Sequence, residues 1–398
     1  MKLKRSLEKI LKASVISTLF IGECYFLAYS RDPVNINNTE IVNTDFGFRY
    51  REFWITPPEE INPSSSSHLK RWINMSFNEF ILKEQYQKVK GLGDRLVLMK
   101  AQIDWQPFIP LVRSVFYDDK KIGGRPHTDE LVIVRSMLLQ SWYGLSDEEL
   151  EFACHDRLSF RNFLGFPQTI PDFSSVWRHR DRLKESGIDL KIWDEVQRQL
   201  DAKNYKVNKG IIQDATFVEA NVGKTRHRKE KIAKKKGEQI IYTENQSEHI
   251  DKDGTFSVKM GQVHYGYKTH IKCDMEFLLI RKYEVTTASL HDGQVDLSEE
   301  NEVAYRDRGY TGKETKAKGN GSMKRGKLTI KQKLRNFRIS KKRAPGERPF
   351  SVIKCVFNGE HTNVKTIQRV AIKEMFKCFG YNLYQLVTLE RMKLARAI

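Results

Sequence analysis

Three acidic side chains, those of Asp214, Asp307 and Glu347, lie in local sequences that suit carboxylate ligands of a hard cation. Mg²⁺ prefers carboxylate oxygens and keeps waters and substrate phosphate in its octahedral shell. Two such ions, about 3.5–4 Å apart, can activate a water or a 3′-hydroxyl and stabilise the leaving oxygen of an in-line displacement. Fifty acids in 398 residues supply many triples by chance, so this interpretation depends on local context rather than on spacing.

The elements that must position these acids can be inferred from the residues around them. Asp214 lies within the apolar run 211–218, which has the length of a buried strand, and a carboxylate there is unfavourable unless something binds it. Asp307 follows a short apolar segment and precedes a glycine-containing turn, which predicts the end of a strand. Glu347 stands two residues before Pro349, which a helix tolerates in its first turn, so this acid is predicted at a helix start.

Three blocks of sequence accompany these acids: DATFVE at 214–219, HYGYKTH at 264–270 and YRDRGYTG at 305–312. In this order they resemble the DDE transposases of bacterial and archaeal insertion sequences, in the broad group conventionally numbered four and five. The resemblance covers the chain from about Met75 to the C-terminus. It implies a ribonuclease-H-like catalytic domain, a mixed sheet flanked by helices, with the two aspartates on strands and the glutamate on a helix.

The signature of that family around its glutamate is an Arg, three residues, the Glu, six residues and a Lys. Arg343, Glu347 and Lys354 match this spacing. The tyrosine that the family carries three positions before the arginine is replaced here by Ser340. The resemblance implies that the three acids hold two Mg²⁺ or Mn²⁺ ions, and that Arg343 and Lys354 contact DNA phosphate near the scissile bond.

The charge of the chain favours a polyanionic partner. Lys and Arg outnumber Asp and Glu by 69 to 50, and cations that neutralise DNA phosphates release condensed counterions. Residues 224–236 contain eight Lys or Arg against one Glu, and residues 313–348 contain fourteen against two Glu. The first run fits a solvated loop as well as it fits DNA contact. The second, which includes Glu347, favours DNA.

The segment 75–203 is predicted to be helical. Thr128 is placed to cap one helix, Ser146 and Glu149 form a capping box for the next, and Asp172 precedes a third. These helices are predicted to form a helix-turn-helix-type domain that binds the ends of the element. An ordinary helical bundle remains the alternative, because helix-turn-helix units are loosely defined by sequence.

The helix after Asp172 carries three arginines, Arg178, Arg180 and Arg182. In a helix-turn-helix-type domain they would contact DNA, whereas in an ordinary bundle they would be solvated. We predict DNA contact for all three.

Residues 1–74 differ in character from the rest. A basic start precedes an apolar run that Glu23 interrupts and that is far shorter than the ~20 residues of a spanning helix. Asn-rich and Ser-rich sequence follows, which predicts loop or disorder. We hypothesise that residues 1–74 are an upstream extension or a fused remnant, with Met75 as the natural start. Five cysteines without CxxC spacing support neither a zinc site nor a disulfide framework.

The predicted organisation is α+β: an all-α DNA-end-binding domain at 75–203 and the catalytic domain at 204–398, with a basic loop at 221–260. The predicted partners are double-stranded DNA and a second copy in a homodimeric synaptic complex, without membrane or nucleotide cofactor. The predicted location is the cytoplasm, in association with the nucleoid. Two alternatives stay open: a nuclease of the same fold that only cuts, and an inactive DNA-binding remnant.

Overall fold

The computed structural model describes residues 77–116, 128–222, 250–310 and 315–397, with residues 233, 235–237 and 243 between them. The chain divides into two compact units, Met1–Asn74 and Met75–Ile398. The predictions made for residues 1–74 lie outside the described residues, as does most of the run 224–236 within the basic loop. No helix of the described part of the chain is long and apolar enough to cross a membrane.

Eight helices precede the sheet in the described chain. They are α1 (Phe77–Gly91), α2 (Arg95–Lys100), α3 (Phe108–Phe116), α4 (Glu130–Tyr143), α5 (Asp147–Asp156), α6 (Leu158–Leu164), α7 (Phe173–Glu185) and α8 (Ile188–Ala202). The predicted capping box of Ser146 and Glu149 opens α5, and Asp172 caps α7. The cap of α4 is Asp129, one residue after the predicted Thr128. The helix-turn-helix assignment itself stays a prediction.

Seven strands and three further helices complete the described chain. They are β1 (Ile211–Ala220), β2 (Thr255–Lys259), β3 (Gln262–Asp274), β4 (Ile280–Thr287), β5 (Val303–Tyr305), β6 (Gly319–Asn320), α9 (Ile330–Arg343), α10 (Glu347–Ser351), β7 (His361–Thr362) and α11 (Ile367–Ala397). A π-helical turn, Val352–Val356, continues directly from α10.

The central strand of the sheet is β1, which has an antiparallel neighbour on one side and a parallel neighbour on the other. It pairs antiparallel with β3 and parallel with β5, in the order β2-β3-β1-β5-β6. Strand β4 also pairs with β3, and β7 pairs with the far end of β1. This mixed sheet with helices packed against it confirms the α+β prediction.

One hydrophobic core joins the helical part to the catalytic part. It contains residues of α2 to α8 together with residues of β3, β4 and α11. Phe379 of α11 stacks on Phe108 of α3, with ring centroids 5.9 Å apart. At Gly380 a Cβ atom would lie 2.5 Å from the indole nitrogen of Trp142, so only glycine allows α4 and α11 to approach this closely. Residues on both sides of the predicted boundary at 203/204 therefore share this core, and the boundary itself stays a prediction.

Candidate active site

Asp214 lies on β1, and Asp307 lies two residues beyond the end of β5, the parallel neighbour of β1. Ile212 of β1 pairs with Tyr305 of β5. Asp214 follows Ile212 by two residues along β1, and Asp307 follows Tyr305 by two residues in the segment after β5, so the two acids lie near one another. Their charges interact, because Asp307 contributes to raising the pKa of Asp214. The structure thus brings together the first two predicted acids.

The pKa of the Asp214 carboxyl is raised above its usual value, mainly because burial disfavours its charged form. The positive charge of Arg343 acts in the opposite direction, as does a hydrogen bond to Oδ1 from the Ala215 amide at 3.0 Å. Burial outweighs both. A carboxylate held in this state gains from a cation that compensates its lost hydration.

Asp307 is fixed by the turn that follows it. Its Oδ1 accepts a hydrogen bond from the Gly309 amide at 2.7 Å. A Cβ atom at position 309 would lie 2.8 Å from the same oxygen, so a side chain there would displace the carboxylate. The glycine in the predicted turn is therefore part of how Asp307 is oriented.

Glu347 reaches the site through a close contact between backbone and sheet. Gly346 lies against Ile212 so tightly that a Cβ atom would be 2.5 Å from Ile212 Cγ2. This contact presses the junction of α9 and α10 onto β1, near Asp214. The side chain of Glu347 is nevertheless 70% exposed, so this acid lies at the rim of the site.

Arg343 joins the acids. Its Nη1 donates to Asp214 Oδ2, and its Nη2 lies 3.6 Å from Glu347 Oε1. Lys354, the other basic residue of the signature, lies on the π-helical turn and faces Glu360 Oε1 across 3.3 Å. In this structure Arg343 is the cation that balances Asp214.

The donor set fits a hard cation, since carboxylate oxygens are the ligands that Mg²⁺ and Mn²⁺ prefer. Within the described residues, however, no three acidic, histidine or cysteine side chains are placed to hold a metal ion together. Here the Arg343 guanidinium contacts Asp214, and the Glu347 side chain is largely exposed to solvent.

The three arginines predicted to contact DNA from α7 have different surroundings. Arg178 and Arg182 are exposed, and Arg178 donates to Ser174 of its own helix. Arg180 is only 1% exposed and forms an ion pair with Asp147. The interpretation of Arg180 as a DNA contact is therefore corrected, because its guanidinium is enclosed between helices and holds them together.

The sequence interpretation missed a group of basic residues beside the acids. Arg335, Arg338 and Lys342 of α9 line a cavity together with Tyr305. Their spacing of three and then four residues was a usable signal, since it places all three on one side of a helix. The prediction treated the run 313–348 as a whole and did not separate this side from the others.

Two family models match the chain. One is described as a Transposase domain (DUF772) and matches residues 83–182. The other is described as a Transposase DDE domain and matches residues 205–383. The second range contains Asp214, Asp307 and Glu347, and it spans the sheet and most of α11. No solved structure matches the chain. The two matched ranges follow one another in the expected order, and the chain belongs to the DDE transposases of insertion sequences.

Proposed function

We propose that this transposase binds the terminal inverted repeats of its insertion sequence and catalyses metal-dependent DNA cleavage and strand transfer. The observation that best supports this proposal is the parallel pairing of β1 with β5, which brings the segment of Asp307 beside the strand of Asp214. The contact of Gly346 with Ile212 adds support, because it packs the start of the Glu347 helix against β1. The proposed setting is the cytoplasm, at the nucleoid, with two copies bridging two element ends.

The chain's own residues position the DNA and the acids. The three carboxylates converge on the phosphodiester at the element end, and burial around Asp214 excludes part of the water that would screen them. When bound, two Mg²⁺ or Mn²⁺ ions would activate a water or a 3′-hydroxyl and stabilise the leaving oxygen. The first in-line displacement frees a 3′-hydroxyl, which attacks target DNA in the second.

Arg343 changes partner in this proposal. In the DNA-free chain it balances Asp214, and with DNA bound it contacts a phosphate near the scissile bond. Because a guanidinium binds phosphate through two parallel hydrogen bonds, such an exchange keeps its charge compensated. Lys354 supports the same strand from the neighbouring turn, and Arg178 and Arg182 contact DNA from α7.

The test is a cleavage and strand-transfer assay. The protein is incubated with Mg²⁺ or Mn²⁺, a duplex bearing the element's own end, and a second duplex as target. We expect a 3′ nick at the element end followed by a joined product. Asp214→Asn, Asp307→Asn and Glu347→Gln should each lower both products by more than the roughly 10–100-fold that loss of a supporting residue causes. Each variant should still bind the end.

The control is Glu300→Gln, which removes an exposed acid of the same domain and should leave both products unchanged. Nicking without joining would assign the chain to the nucleases that only cut. End binding without either product would identify an inactive remnant. Cleavage that persists in Asp214→Asn would remove the proposed site.

A further inference from the structure

A cavity of about 260 Å³ lies between α9, Tyr305 at the end of β5, and Gly321, the residue after β6. It is several times larger than the roughly 30 Å³ that one water occupies in the liquid. Its lining consists of Tyr305, Gly321, Arg335, Arg338, Ile339 and Lys342. Half of these residues carry a positive charge and none carries a negative charge, so the cavity is suited to an anion.

The three cations converge because of their positions on α9. Arg335, Arg338 and Lys342 are separated by three and four residues, which places them on one side of the helix. Arg338 and Lys342 are exposed, and no carboxylate in the described part of the chain forms an ion pair with either. Like charges this close repel one another. An anion in the cavity would offset that repulsion.

The walls of the cavity are already held in place. Lys342 donates to the Tyr305 hydroxyl at 2.9 Å, and its Nζ lies 4.8 Å from the centre of the Tyr305 ring. Arg335 donates to the Ser322 carbonyl at 2.8 Å. Gly321 leaves no room for a side chain, since a Cβ atom would lie 2.7 Å from the Ala304 carbonyl oxygen. A preformed wall reduces the conformational entropy that a ligand must remove.

The position of the cavity relates it to the acids. Tyr305 ends β5 two residues before Asp307. Lys342 precedes Arg343, whose guanidinium reaches Asp214. One wall therefore continues into the segment after β5 that contains Asp307, and the other continues into the helix end that reaches Asp214. A polymer that crosses the acids can place a neighbouring unit in this cavity.

We propose that the cavity is a binding subsite for one backbone phosphate of the DNA strand that crosses the acids, at a fixed distance from the scissile bond. The proposal rests on the proposed function and deepens it. Arg338 binds the phosphate oxygens through paired hydrogen bonds, and Lys342 contributes a point charge beside them. The subsite fixes the register of the strand and reads no base sequence.

The experiment neutralises phosphates one at a time. A series of end duplexes is made in which a single phosphate of either strand is replaced by an uncharged methylphosphonate. Binding is measured by fluorescence anisotropy without divalent metal, for the full chain and for the double variant Arg338→Gln/Lys342→Gln. The matched control is Lys331→Gln/Lys333→Gln, which removes two exposed charges of α9 that do not line the cavity.

We expect one position, or two adjacent ones, at which the uncharged linkage weakens binding by the unaltered chain about tenfold. At that position alone the cavity variant should become insensitive to the replacement, whereas the control pair keeps the sensitivity. The slope of log affinity against log salt should fall by about 0.9 for each phosphate that the variant no longer neutralises. Lys342→Arg, which keeps the charge, should retain most of the sensitivity.

Three results overturn the subsite. In the first, the cavity variant keeps the same sensitivity at every position. In the second, the variant binds every duplex of the series more weakly by the same factor, which indicates a general effect of charge and no specific phosphate site. In the third, the control pair loses the same single position. If the unaltered chain binds no end duplex, the result contradicts the proposed function and the subsite together. Any of the three results above, obtained with a chain that does bind the duplex, contradicts the subsite alone. The two failures are therefore distinguishable.

Discussion

Two of the arginine–aspartate pairs in the described part of the chain have similar contacts and different surroundings. Arg180 pairs with Asp147 among the helices, and Arg343 of α9 pairs with Asp214 of the central strand β1. Around the first pair the structure supplies neutral partners, since Gln140 donates to Asp147 at 2.6 Å and accepts from Arg180 at 3.3 Å. This pair is built into the packing of α4, α5 and α7.

Around the second pair the structure supplies further acids instead. Glu347 lies 3.6 Å from Arg343, and Asp307 adds its negative charge beside Asp214. The pKa of Asp214 stays raised, primarily through burial, even with an arginine in contact. Such a surplus of acids is unfavourable for folding alone but suits a site that binds cations. The residues around an ion pair, rather than the pair itself, therefore indicate whether the pair has a structural role or belongs to a candidate binding site.

The largest expected effect is on the structural pair. Arg180→Gln should lower the free energy of unfolding by about 2–3 kcal/mol, somewhat less than the ~3–5 kcal/mol of a fully buried pair. The reason is that Asp147 keeps 24% of its side-chain exposure and so recovers some hydration. Urea unfolding of the variant and the unaltered chain measures the difference.

Arg178→Gln is the matched control, since Arg178 is an exposed arginine of the same helix. Its effect on stability should stay within about 0.5 kcal/mol. If Arg180→Gln also changed the free energy of unfolding by no more than about 0.5 kcal/mol, the Arg180–Asp147 pair would have no greater structural role than an exposed arginine.

The features that the sequence predicted correctly depend on near neighbours in the chain. The capping box at Ser146 works through Glu149, three residues away. Asp214 lies on a strand and Asp307 just after one, as the apolar runs predicted. The cap of α4 was missed by one residue because Thr128 and Asp129 are both good caps.

The features that it could not predict depend on contacts between distant parts of the chain. Arg180 meets Asp147 across 33 positions, and Arg343 meets Asp214 across 129. The spacing of arginines on α7 could not show that one of them is enclosed. Nor could the sequence show that Gly346 lies against Ile212, although this contact determines where Glu347 stands. The sequence therefore predicted the chemical roles of residues more readily than it predicted which residues contact one another.

The second expected effect concerns metal binding without DNA. Arg343→Gln should raise the affinity of the DNA-free chain for Mn²⁺ about tenfold. A guanidinium and a divalent ion roughly 6 Å apart repel each other by about 1.4 kcal/mol in water-like surroundings, and this variant removes that repulsion. Isothermal titration with Mn²⁺ measures the affinity.

Lys341→Gln provides the control, because it removes an exposed charge from the same turn of α9 that does not contact the acids. Equal Mn²⁺ affinities in Arg343→Gln and the unaltered chain would show that the arginine does not compete with the metal. Under the proposed function, Arg343→Gln should also lose strand transfer, since it removes the proposed phosphate contact.

A smaller effect is expected on stability at the Asp214–Arg343 pair. Because the folded chain raises the pKa of Asp214, its charged form is less favourable there than in the unfolded chain. The fold therefore loses stability as pH rises from the unfolded value of about 3.9 through the raised folded value. Asp214→Asn removes this loss, so its melting temperature should be at or above that of the unaltered chain at pH 7. The gain should shrink towards pH 4.

Asp147→Asn should change the melting temperature in the opposite direction. It leaves Arg180, whose side chain is 2% exposed, without its carboxylate, so it should lower the melting temperature at pH 7. Thermal unfolding of both variants at pH 4, 5, 6 and 7 provides the measurement. A melting temperature that falls alike in Asp214→Asn and Asp147→Asn would mean that both pairs stabilise the fold. Opposite signs would show that the Asp214 carboxylate lowers the stability of the fold whereas the Asp147 carboxylate raises it, as expected where an acid is kept for binding cations rather than for packing.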